Sequence, residues 1–82
     1  MNRENTIGDK LLMQSAVLTC TGSREAIIEN YRSVRSLTDK RIEVLTRTCL
    51  VIVEGEELKA AYYTKEEMKI TGKICSIQYA ER

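Results

Sequence analysis

Two runs of carboxylates, Glu54-Gly55-Glu56-Glu57 and Glu66-Glu67, are the densest groupings of chemistry-bearing side chains in the sequence. Paired carboxylates can share general acid and base work, and clustered oxygen ligands can hold Ca²⁺. Either chemistry requires the side chains to converge. Both runs instead fall where turn tips are predicted, so solvated surface acids are the expected role. The sequence contains no histidine, which excludes Ser-His and Cys-His nucleophile schemes. Cys20, Cys49 and Cys75 lie 29 and 26 residues apart, and without a C-x-x-C or Cys/His spacing zinc is not expected. Each thiol sits inside an apolar strand pattern and is expected to be reduced, serving as a small core residue. No catalytic, cofactor-binding or metal-ligating residues are therefore assigned. The chain is expected not to be an enzyme and to need no cofactor.

Arg24, Arg32, Arg35, Arg41 and Arg47 form a third candidate group. They would line a phosphate-binding face if the first hairpins align, as in small barrels of the OB or Sm type. The net charge is only +1, from 13 basic and 12 acidic residues, so no global field favours nucleic acid. Glu25, Glu29, Asp39 and Glu43 interleave with the arginines, and base stacking would rest on Tyr31, Tyr62, Tyr63 and Tyr79 alone. Nucleic-acid binding is the second reading. A protein contact is the first. Tyr62 and Tyr63 end a predicted strand, where Tyr62 on the core side would leave Tyr63 exposed beside Ala61. Tyr63, Ala61 and Tyr31 are the candidate contact residues.

The elements that must position these groups read as strands. Cys49-Leu50-Val51-Ile52-Val53 is five apolar residues in a row, a strand with no wet face. A two-residue loop at Gly55-Glu56 would turn it back, placing Val53 opposite Leu58, Val51 opposite Ala60 and Cys49 opposite Tyr62. On its other side, a tight loop at Arg47-Thr48 sets Val44 opposite Val51 and Ile42 opposite Val53. Ala16 to Thr21 is β-branched and returns through Gly22-Ser23, with Leu18 across from Ile27. Residues 23–32 also admit a helix with Ser23 as N-cap, although the Gly-Ser turn signal favours a strand. Asn30 to Ser33 reads as a turn before a short strand from Val34 to Leu37, and Thr38 to Arg41 as a polar turn. Near the end, Met68 and Ile70 differ in parity from Cys75, Ile77 and Tyr79. A hairpin at Gly72-Lys73 reconciles them; one long strand bulged at Gly72 is the alternative.

Seven or eight short strands at this spacing give an all-β fold, a small antiparallel β-sandwich that is Ig-like or a barrel-like meander of hairpins. Residues 1–15 are expected to be a mobile N-terminal tail and residues 16–82 a single all-β domain. At 82 residues the core must be thin, and self-association is a natural remedy. The longest apolar run, five residues, is far below the ~20 of a membrane-spanning helix. The polar opening Met1 to Thr6 does not read as a signal peptide, so a cytoplasmic protein is expected.

Four stretches together resemble the YabP/YqfC sporulation protein family, with the YqfC branch the nearer. They are I-I-E-N-Y (Ile27 to Tyr31), L-T-D-K-R-I-E-V (Leu37 to Val44), L-V-I-V-E-G-E-E-L (Leu50 to Leu58) and E-E-M-K-I-T-G-K-I-C-S-I-Q-Y (Glu66 to Tyr79). The resemblance spans about residues 16–80 and implies a small β-sandwich protein of endospore-forming bacteria. It implies a structural or adaptor role in spore-envelope (coat and cortex) formation, with no catalytic residues to carry over. The implied partners are a second copy of the chain or a sporulation membrane protein. No small-molecule substrate is expected, nucleic acid stays the second reading, and membrane contact is only indirect. The implied location is cytoplasmic, on the mother-cell side at the forespore membrane.

Overall fold

A computed structural model describes residues 15–81. The expected tail falls outside the described residues except for Ser15, whose carbonyl accepts a hydrogen bond from Asn30 Nδ2 at 3.0 Å. The described residues form six strands: β1 Val17–Thr21, β2 Glu25–Glu29, β3 Tyr31–Leu37, β4 Arg41–Thr46, β5 Cys49–Tyr63 and β6 Glu67–Glu81. All pair antiparallel in one sheet of order β1-β2-β6-β5-β4-β3. The all-β, antiparallel expectation holds, and residues 25–29 are strand rather than helix.

The strand count is lower than expected because two anticipated hairpins do not exist. Chain reversal does not occur at Gly55-Glu56; β5 runs straight through and pairs with β6, setting Val53 opposite Ile77 and Val51 opposite Tyr79. Gly55 does not adopt a positive φ, so no type II′ turn forms there. A Cβ at this position would overlap the Lys73 carbonyl oxygen: close backbone approach, not turning, is what requires glycine. Gly72 likewise sits inside β6, at φ +134 and against the Glu57 carbonyl. The bulged-strand alternative is the correct one for that segment. Shifts at Glu54/Gly55, Glu56/Lys59 and Ala60/Tyr62 bend the long β5–β6 ribbon, as bulges do.

That bend makes two layers from one sheet. The first comprises β1, β2 and the near ends of β6 and β5; the second comprises their far ends with β4 and β3. A flat sheet leaves both faces wet, yet Ala26, Ile28, Ile42, Val44, Val53, Met68 and Ile70 are fully buried in one cluster. Each layer covers the other. Asn30, at φ 66, alone links β2 to β3 at the opposite end of the strand order, so the folded sheet must bring those regions together. The Asn30 N–H to Glu66 carbonyl bond at 2.8 Å closes the same seam. At the corner, the Asp39 and Lys40 carbonyls accept Leu58 N–H and Gly55 N–H.

The β4–β5 register is as expected, with Ile42 opposite Val53 and Val44 opposite Val51. The β1–β2 hairpin forms one residue out of register: Leu18 faces Ile28, and the loop is Gly22-Ser23-Arg24. The turn expected over Asn30 to Ser33 is Asn30 alone, and β3 begins at Tyr31.

Candidate functional site

A bulge decides where the tyrosines point. Ala60 pairs with Ile70 and Tyr62 with Lys69, which leaves Ala61 as the extra residue, and it is exposed. Cross-strand partners share a face, so Tyr63 lies on the side of its partner Met68 and Tyr62 on the side of Lys69. This reverses the expectation of a core-side Tyr62. Tyr62 is on the outer face, where its hydroxyl donates to Glu67 Oε2 at 2.5 Å. Tyr63 lies on the core-facing side but beyond the end of the core, 60% exposed.

Tyr31 begins β3 directly across the seam. Its hydroxyl donates to the Thr64 carbonyl, and its ring packs against the core. Burial, and then the neighbouring Tyr63, push its pKa above the usual phenol value. Tyr31 and Tyr63 are therefore neighbours at one end of the folded sheet, and Ala61 is exposed on the bulge two residues before Tyr63. The Thr64 Oγ1 accepts from Glu66 N–H at 3.2 Å and Glu67 N–H at 3.1 Å, which fixes the turn carrying this group.

The carboxylate runs do not converge. Glu54 is opposite Ser76 on β6, whereas Glu67 starts that strand at its other end. Glu54 is ion-paired to Arg41, which also binds Glu43 through Nε at 2.6 Å. Those contacts, the Glu43 hydrogen bond foremost, raise the Arg41 pKa and keep it charged. Glu67 is engaged by Tyr62. Among the described residues no three His, Cys, Asp or Glu side chains group as a metal site.

The arginines are dispersed over both layers. Arg24 occupies the β1–β2 loop, Arg41 is held by two glutamates, and Arg32 and Arg35 are the extra residues of two β3 bulges. Arg47 is in the loop after β4. The thiols need a correction. Cys20 and Cys75 are exposed, and only Cys49 packs against the core. Cys75 is the extra residue of a β6 bulge and Cys20 lies on a terminal strand, so neither has the cover that an apolar pattern suggests.

Tyr79, named in the sequence only as a stacking aromatic and for its parity with Ile77, is 65% exposed. It shares the face of Ile77, which extends past the covering layer, since β2 pairs only with Glu67 to Thr71. Among the described residues no helix is long and apolar enough to cross a membrane.

The model of the YabP family matches residues 13–82, the whole described sheet included. No curated protein and no solved structure matches the chain.

Proposed function

The chain belongs to the YabP family, and from that premise we propose a non-enzymatic sporulation protein with a structural or adaptor role in spore-envelope formation. Membership itself gives the coarser statement, a sporulation-related protein. The finer reading places the chain in the YqfC branch, cytoplasmic on the mother-cell side, where it self-associates or docks a sporulation membrane protein. The match over residues 13–82 is the observation that carries the sporulation-related reading, from which the finer one is proposed.

Physical features support the same reading. The side chains best suited to acid–base chemistry are spread along a bent ribbon, and two of them, Glu54 and Glu67, are engaged by neighbours. Strand edges that are unpaired among the described residues, together with exposed Tyr63 and Tyr79, suit contacts between proteins. Size-exclusion chromatography with light scattering, together with binding to the cytosolic segments of sporulation membrane proteins, tests the contact. Self-association or saturable binding is expected. A strict monomer that binds none of those segments would contradict it.

A further inference from the structure

The sheet edges are not equally protected. Among the described residues β1 and β3 are the terminal strands. Two inner strands also outrun their neighbours, because β2 covers β6 only to Thr71 and β4 covers β5 only to Glu54. Open edges invite pairing with another chain, and proteins blunt them with bulges and charges. β3 has both: its two bulges fall at Arg32 and Arg35. The β1–β2 loop extends the cover of β6 to Ile74, its Arg24 and Ser23 carbonyls accepting Gly72 N–H and Ile74 N–H. Beyond it β6 has the bulge at Cys75 and Glu81 on the strand, and the free stretch of β5 has Lys59 and the bulge at Ala61. β1 has neither device. Val17-Leu18-Thr19-Cys20-Thr21 carries no charge and no proline, and it pairs residue for residue with β2 without a shift.

We propose that β1 pairs, antiparallel and across a two-fold axis, with β1 of a second copy, joining two sheets into one continuous sheet. The inference rests on the self-association arm of the proposed function and names its edge. The occupant follows from self-complementarity. Centred on Thr19, the register sets Thr19 against the second copy's Thr19, Leu18 against its Cys20 and Val17 against its Thr21. Opposite residues share a face. Leu18 and Cys20 lie on the same side as their β2 partners Ile28 and Ala26, both buried, so the pairing continues the core face and covers the exposed Cys20. The outer face gains Thr–Thr and Val–Thr pairs, which favour a sheet. No like charges meet in this register. Five residues per strand bury less than the ~1,200 Å² of a stable interface, so the dimer is concentration-dependent.

The full chain should pass from monomer to dimer in sedimentation velocity between low-micromolar and near-millimolar concentration. Thr19 is exposed, so Thr19→Lys and Thr19→Glu should each fold with an unchanged circular-dichroism spectrum and each lose the dimer, because like charges stand opposite in this register. An equimolar mixture of the two should regain it. In the chain carrying Cys49→Ser and Cys75→Ser, a short bis-maleimide should link Cys20 to the second copy's Cys20, its diagonal neighbour. This readout is independent of the charged variants. If Thr19→Lys dimerises like the unaltered chain, another surface is used: the edge assignment falls and self-association stands. A wild-type chain monomeric at every concentration overturns both, leaving only the docking arm. A monomer in which the β1 amides directed away from β2 resist hydrogen exchange also overturns the proposal, since the edge would then be filled from within the same chain.

Discussion

Thr46 shows how one hydroxyl can hold a junction that packing alone would leave polar. It is the buried polar residue among the described core positions. Its Oγ1 accepts from Cys49 N–H at 3.1 Å and Thr48 N–H at 3.3 Å and donates to the Cys49 carbonyl at 2.9 Å. Thr46→Val keeps the shape and strands those backbone groups, so urea unfolding should show a loss of about 1–3 kcal/mol; Thr46→Ser should retain most of the stability. Tyr62 answers to pH. Its hydrogen bond to Glu67, then burial and nearby carboxylates, raise its pKa above 10.0. A folded value above the unfolded one means the contribution is present below about pH 10. It is lost as pH rises through the higher folded value. Glu67→Ala should therefore return Tyr62 deprotonation toward the ordinary range, followed by NMR of labelled tyrosine rings. At this scale the exposure of Glu56, Glu57 and Glu66 was legible in the sequence; the engagement of Glu54 by Arg41 and of Glu67 by Tyr62, and the place of the first run inside β5, were not. The tyrosine facing was not, because it turns on one extra residue, Ala61, that no local pattern marks.

The β5–β6 ribbon is where reading and structure part most clearly. Gly55 and Gly72 each satisfy the local signature of a hairpin, and each instead permits backbone to approach backbone inside a long strand. The distinction depends on which strand lies alongside, a non-local fact. The β4–β5 register was legible because the continuous run Cys49 to Val53 needs apolar partners on both sides and the Arg47-Thr48 loop is too short to allow another offset. The one-residue error in the β1–β2 register has the opposite origin: a three-residue loop and a two-residue loop are both compatible with Gly22-Ser23. Gly55→Ala should cost roughly 1–3 kcal/mol by overpacking against the Lys73 carbonyl. Gly72→Ala should cost a similar amount through strain at φ +134. For a chain of this size either should lower the thermal midpoint by about 4–8 °C per kcal/mol. A hairpin at Gly55 would instead have tolerated alanine less at its positive-φ position while leaving Lys73 indifferent, so Lys73 amide exchange in Gly55→Ala separates the two arrangements.

The described residues as a whole are one sheet folded on itself, stable through a thin shared core. Met68 joins the two layers' cluster and is fully buried; Met68→Ala should cost about 2–5 kcal/mol and leave much of the population unfolded at physiological temperature. The all-β antiparallel outcome was legible from the alternation, but the strand number and the single continuous sheet were not, because they depend on β5 and β6 each serving both layers. The most direct test of the account is a deletion of the gene in its endospore-forming host, complemented in turn by the wild-type chain and by a Glu54→Ala/Glu56→Ala/Glu57→Ala chain. A non-enzymatic envelope role predicts fewer heat-resistant spores on deletion and recovery with both chains; unimpaired sporulation of the deletion strain, or recovery by the wild type alone when the triple variant folds normally, would contradict it.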